Sequence, residues 1–179
     1  MPDAPRPTRK RIRLPAENYL GDRSYFVTIC CYKRKPFFRD ADRAHRLLER
    51  LRVLAGQHSF RVHAYCIMPD HFHLLVEGSQ AESNLLRFIN QLKQESAHQE
   101  KSRSRFQLWQ RYFYDHILRP RDSMEAVAWY IWLNPVRKGL CAEPEDYPLS
   151  GSFTAEWKRK TRPAVPWNPP WKDSVGAGL

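Results

Sequence analysis

Two histidines separated by one residue, His71 and His73, sit in the run Tyr65-Cys66-Ile67-Met68-Pro69-Asp70-His71-Phe72-His73-Leu74-Leu75-Val76. A strand sends alternate side chains to opposite faces, so both imidazoles share one face while Phe72, Leu74 and Val76 share the other. Neutral imidazole is the commonest metal ligand, and two rings aimed at one spot, backed by an apolar layer, suit a metal ion. The same spacing also fits a merely polar, solvent-facing side. Further along, Tyr112 and Tyr114 lie among arginines, and Tyr130 and Asn134 stand one helical turn apart, sharing a face if the helix persists that far. Pro135 disfavours helical geometry in the residue before it. Asn134 is therefore also a candidate to end one helix and cap a short second one, Pro135 to Lys138, closed by Gly139.

Regular elements must position these groups. Tyr25 to Tyr32 is aromatic and β-branched and ends in Lys33-Arg34-Lys35-Pro36, which predicts a central strand. Ala44, Leu47, Leu48, Leu51, Leu54 and Ala55 recur at helical spacing, predicting a helix over 40–55 with Asp40 or Asp42 as N-cap and Gly56 as its stop. Phe60 to Met68 predicts a second strand, and the Pro69-Asp70 turn makes it the antiparallel neighbour of the histidine strand. Ser79 with Glu82 offers a capping box for a second helix whose buried stripe is Leu85, Phe88, Ile89 and Leu92. Its other face, with Arg87, Asn90, Gln91, Lys93 and Gln94, is either solvated or meets nucleic acid.

A basic connection, Lys101 to Arg105, leads to Trp109-Gln110-Arg111-Tyr112 and then to a strand ending before Pro120. Phe113 and Ile117 read as core; Trp109 and Tyr112, around Arg111, either stack on unpaired bases or fill the interior. A last helix starts at Asp122 or Ser123 and packs through Met124, Val127, Ala128 and Ile131. The order strand, helix, strand, strand, helix, strand is that of a split βαβ unit. It predicts an α+β, ferredoxin-like antiparallel sheet with helices on one face, plus a C-terminal helix bearing Tyr130.

Composition narrows the partner. The chain has 179 residues, enough for one domain with a real core, and Lys and Arg exceed Asp and Glu by 30 to 19. A pI near 9.8 favours a polyanion, nucleic acid before an anionic membrane surface. No apolar run approaches the roughly 20 residues that span a bilayer, and the start has no signal-peptide core. The expected setting is the cytoplasm, at the nucleoid. Residues 1–22 form a basic arm in which Arg9, Lys10, Arg11 and Arg13 can lie along phosphates, 23–153 form the domain, and 154–179 form a Trp-, Pro- and Lys/Arg-rich tail. Cys30, Cys31, Cys66 and Cys141 show no C-x-x-C pairing and read as reduced packing residues.

Together, Tyr65 to Val76, Trp109 to Arg119 and Tyr130-Ile131-Trp132-Leu133-Asn134-Pro135-Val136-Arg137-Lys138-Gly139-Leu140 resemble the single-tyrosine HUH transposases. Within these, the IS200-like group's REP-associated tyrosine transposases, which act on repetitive extragenic palindromes, are the best match. The resemblance covers roughly Arg11 to Ser152. It implies a nucleophilic Tyr130, metal ligands at His71, His73 and Asn134, and Mg²⁺ or Mn²⁺ as cofactor. It also implies a phosphodiester cut in single-stranded DNA, leaving a 5′-phosphotyrosine link and a free 3′-hydroxyl. The expected partner is a DNA hairpin, met by a monomer without an obligatory protein partner. Arg9, Lys10, Arg11, Arg13, Arg87, Lys93, Trp109, Arg111, Arg137 and Lys138 are the candidate DNA contacts. Asp70, Glu77 and Asp115 are carboxylates able to supplement the metal, and His116 either orients DNA or packs. The rival functions are a non-catalytic DNA or RNA hairpin binder and another HUH enzyme of replication or conjugation.

Overall fold

The structure, a computed structural model, describes residues 15–101 and 107–170, so Arg9, Lys10, Arg11 and Arg13 lie outside the described residues. Five strands form one sheet: β1 (Ser24–Cys30), β2 (Phe60–Met68), β3 (His71–Gly78), β4 (Tyr114–Ile117) and the two-residue β5 (Ser150–Gly151). Their order is β4-β1-β3-β2-β5, and every neighbouring pair is antiparallel. The first four strands therefore have the ferredoxin-like order, with β5 added at the β2 edge. The helices are α1 (Ala41–Gln57), α2 (Leu85–Lys101), α3 (Met124–Trp132) and the short α4 (Asn134–Arg137).

Strand alternation divides the interior in two. Tyr25, Val27, Ile29, Phe72, Leu74 and Val76 face α1 and α2, meeting Leu47, Leu51, Leu54, Phe88, Ile89 and Leu92. Phe26, Cys66, Met68 and Leu75 point the other way, into a smaller core under Val127, Ile131 and Trp132 of α3. Each large apolar side chain so buried contributes about 1.5–3 kcal/mol. Thus α1 and α2 cover one face and α3 crosses the opposite one, which carries the two histidines. Glu100, 6 % exposed, ties the first pair together, with Arg43 Nε at 3.1 Å and Arg46 Nη2 at 2.7 Å.

Helix ends follow local chemistry. Asp40 caps α1 by accepting from the backbone N–H groups of Asp42 and Arg43. Gly56 is not the stop: α1 runs one residue past it, and Ser59, with φ of 57°, makes the reversal into β2. The Ser79–Glu82 capping box does not form. The Ser83 hydroxyl takes the backbone N–H groups of Ser79 and Gln80, and Asn84, directly before α2, accepts from Arg87 N at 3.0 Å. An acceptor nearer the first helical turn wins over one five residues earlier. Ser123 caps α3 through Ala126 N.

Both flanks of the domain are tied down where they are described. Tyr19, within the segment grouped above with the basic arm, is buried and donates its hydroxyl to Asp115 Oδ2 at 2.9 Å. At the other end Trp157 stacks on Trp132 at 4.7 Å, and Trp167 is buried in the α3-side core. Among the described residues no helix is long and apolar enough to cross a membrane.

Candidate active site

The register of the central strands brings the two imidazoles together. In β3, His71 lies opposite Cys30 and His73 opposite Thr28, while Met68 and Cys66 flank them from β2. His71 Nδ1 is 2.6 Å from Asp70 Oδ1. An ionised carboxylate only accepts, so Nδ1 holds the proton and Nε2 carries the lone pair. His73 Nδ1 is 2.8 Å from Thr28 Oγ1, a hydroxyl able to donate or accept. The two Nε2 atoms face each other at 3.0 Å.

That separation fits two states. Without an ion, His73 Nε2–H donates to His71 Nε2 and Thr28 donates to His73 Nδ1. With an ion, Thr28 would accept instead, and both Nε2 lone pairs would be free to hold it. Electrostatics favour lone pairs over protons. Burial lowers the pKa of His71 against the opposing pull of Asp70, and burial with His71, Arg137 and Arg34 lowers that of His73 far below the ordinary imidazole value. No group of three or more His, Cys, Asp or Glu able to hold a metal is found among the described residues. A complete coordination sphere would therefore need an amide, water or substrate oxygen.

Asn134 has its amide nitrogen committed, donating to the Tyr130 and Ile131 carbonyls at 3.0 and 3.2 Å. It thus closes the end of α3, and Leu133, not Asn134, stands at the N-cap of α4. The sequence expectation that Asn134 caps the second helix is corrected on that point, because its side chain reaches back to carbonyls within one turn. The carboxamide oxygen is the atom left for a ligand. Of the supplementary carboxylates only Asp70 adjoins the histidines. Glu77 pairs with His63 Nε2 at 2.9 Å and Asp115 accepts from Tyr19, whereas His116 lies 3.1 Å from Asp122 Oδ2.

Phe26, fully buried in β1, connects the histidines to the tyrosines. Its ring centroid is 5.5 Å from that of His73, 5.9 Å from Tyr130 and 6.3 Å from Tyr114. Burial raises both phenols, but Tyr114, next to Asp115, is pushed up to about 12, whereas Arg137 opposes the rise at Tyr130. The Arg137 guanidinium sits 4.3 Å above the Tyr130 ring and donates to the Tyr130 carbonyl at 2.6 Å. Beside His71, a hollow of about 390 Å³ is lined by Arg34, Asp70 and Lys138.

The remaining DNA-contact candidates separate by face. Arg87 and Lys93 belong to α2, across the sheet from the histidines, and Lys93 Nζ is held by the Gln110 and Arg111 carbonyls at 2.9 Å each. Trp109, left open between base stacking and the interior and counted among the candidate DNA contacts, lies in the core: it is 4 % exposed, packs on Phe38 and donates Nε1 to Ser96. Arg111 stays outside, over the exposed Tyr112 ring. Thr28 and Phe26 were missed, although alternation along β1 places both on the histidine face. Trp167, 5.1 Å from Tyr130, had no usable signal among its prolines.

The sequence profile described as "Transposase IS200 like" matches residues 21–132. The chain belongs to the IS200-like transposase family. This IS200-like transposase is 28% identical over 150 residues to a provisionally named REP-associated tyrosine transposase of Haemophilus influenzae, covering 78% of this chain and 84% of that one. It is 23% identical over 91 residues to the REP-associated tyrosine transposase of Escherichia coli K12, covering 51% of this chain and 53% of that one. In fold it matches the solved structure of a REP-associated tyrosine transposase bound to a REP hairpin, with TM-score 0.66 and 19% identity over 80% of this chain and 82% of that one. The family match contains His71, His73 and Tyr130 and ends before Asn134, Arg137 and the C-terminal segment.

Proposed function

We propose that this IS200-like transposase is a metal-dependent endonuclease that cleaves and rejoins single-stranded DNA at repetitive extragenic palindrome hairpins, with Tyr130 as nucleophile. The observation that carries the reading is the shared contact on Phe26, which sets Tyr130 and the His71–His73 pair on the same sheet face. The names of its relatives supply the substrate class.

Tyr130 Oη attacks the phosphorus, the new P–O bond replaces the P–O3′ bond, and the phenol loses a proton as the departing 3′-oxygen gains one. Rejoining is the reverse, with a 3′-hydroxyl attacking the 5′-phosphotyrosine. At neutral pH the Tyr130 phenol is protonated, and Arg137 is the group placed to favour its anion. His71 and His73, with the Asn134 oxygen, would hold Mg²⁺ or Mn²⁺, and a cation so held would polarise a phosphate oxygen. Neutral ligands leave such an ion its full charge, and the nitrogen donors suit Mn²⁺ at least as well as Mg²⁺. Arg34 and Lys138 line the hollow beside His71, and their charges would favour a phosphate there.

The test uses labelled single-stranded hairpin oligonucleotides drawn from palindromes flanking the gene, with Mg²⁺ or Mn²⁺, on denaturing gels. Wild-type protein should form a covalent adduct that Tyr130→Phe abolishes and Tyr114→Phe preserves. Binding without a cut or adduct under any metal would replace this reading with that of a non-catalytic hairpin binder.

A further inference from the structure

The chain after β5 returns across α3. Trp157 anchors it on Trp132, and Trp167 fixes its far end by packing on Phe26 at 5.2 Å and Tyr130 at 5.1 Å and by donating Nε1 to Asp122 Oδ1 at 3.2 Å. Between these anchors the strap carries Lys158, Arg159, Lys160 and Arg162. It encloses a hollow of about 400 Å³ whose walls include Tyr130, Arg137, Arg162, Pro166 and Trp167.

Two guanidiniums thus share one small hollow beside a tyrosine ring. Neither has a carboxylate within ion-pair distance among the described residues, although Arg34, Arg43, Arg46, Arg50 and Arg61 all have one. Arg137 is held in place by the Tyr130 carbonyl, and partial burial, with Arg162 nearby, lowers its proton affinity. Like charges placed together without a counter-ion raise the free energy unless an anion occupies the gap. The planar fork of a guanidinium matches two phosphate oxygens.

We infer that Arg137 and Arg162 form a clamp for one phosphodiester of the single strand that passes over Tyr130. This inference rests on the reading of Tyr130 as the nucleophile for its place in the reaction, but not for the binding it predicts. Arg162 and Trp167 lie outside the family match, which ends at residue 132.

The experiment measures binding of a fluorescent single-stranded dT16 by full-length Tyr130→Phe protein across a salt series. Arg162→Gln in that background should weaken binding roughly tenfold and reduce the slope of log affinity against log salt by about 0.7, the value for one phosphate contact on a single strand. Arg162→Lys should restore most of the slope but less of the affinity, and Arg50→Gln, on the α1–α2 side, should change neither. Thermal melts verify that each variant is folded. Methylphosphonate substitution at successive linkages should find one position whose neutralisation weakens the parent but not Arg162→Gln. An unchanged slope for Arg162→Gln, or an equal loss for Arg50→Gln, overturns the clamp. Failure of wild-type protein to form an adduct overturns the nuclease reading and leaves the binding result standing.

Discussion

Replacing Asp70 by Asn tests whether the histidine pair is tuned for a metal. Asp70 Oδ1 is 2.6 Å from His71 Nδ1, within the range of a charge-assisted hydrogen bond, and the same carboxylate reaches Arg34 at 3.4 Å. Asn keeps an acceptor of similar shape but removes the charge, so His71 loses the fixed tautomer that leaves Nε2 bare. Loss of such an outer partner generally costs 10–100-fold in metal affinity, or about 1.4–2.7 kcal/mol. The Asp70 side chain is 31 % exposed, so solvent screens part of its effect and the lower end applies. The expected outcome is a roughly tenfold rise in the Mn²⁺ concentration giving half-maximal adduct, with the plateau retained. Asp70→Ala, which removes the acceptor as well, should approach a hundredfold. Calorimetric titration of Mn²⁺ into the Tyr130→Phe background checks the binding component separately. Unchanged half-saturation in Asp70→Asn would refute the orienting role, and Mn²⁺ binding that survives His73→Ala would refute the site itself.

Other consequences are structural. A Cβ at Gly78 would overlap the Gly21 carbonyl oxygen and come within 2.8 Å of Ser83 Cβ, so Gly78→Ala should destabilise the fold by about 3 kcal/mol and lower the melting temperature by about 6–12 °C. His73 has a folded pKa far below its unfolded value of about 6.5, so above that value both states are neutral and the full stability is present. As pH falls through 6.5 toward the folded pKa, only the unfolded chain gains the proton, and stability is lost. Urea midpoints of the metal-free protein should therefore drop between pH 7.5 and 5.5, and His73→Gln should flatten that part of the profile. A steep drop retained in His73→Gln would assign the dependence to other groups.

The histidine face was legible because strand alternation has only two outcomes, and the apolar Phe72, Leu74 and Val76 occupy one of them. The order of the first four strands followed from the alternation of strand and helix patterns along the chain. Which face α3 covers did not follow: periodicity shows that a helix has an apolar side but not the side of the sheet that receives it. Trp109 stayed open because a single aromatic in a short irregular stretch has the same pattern whether it meets a base or a helix, and its burial depends on Ser96 and Phe38, which lie elsewhere in the chain. The strap was illegible for a related reason. Its tryptophans bury themselves singly, in slots made by Trp132, Phe26 and Tyr130, so no period marks them.

The placement of Phe26 shows how the proposed chemistry would be built on this face without a deep pocket. A fully buried ring on a central strand has little room to shift, and four aromatic neighbours, His73, Tyr114, Tyr130 and Trp167, are packed against it. The distance from the histidine pair to the tyrosine is therefore set by the width of one side chain in a close-packed core, and sheet and helix, not loops, carry the groups assigned to the proposed reaction. Phe26→Leu would keep the core apolar while removing that spacer. It should reduce the yield of adduct far more than it reduces binding of single-stranded DNA, whereas equal losses of both would assign Phe26 to stability alone.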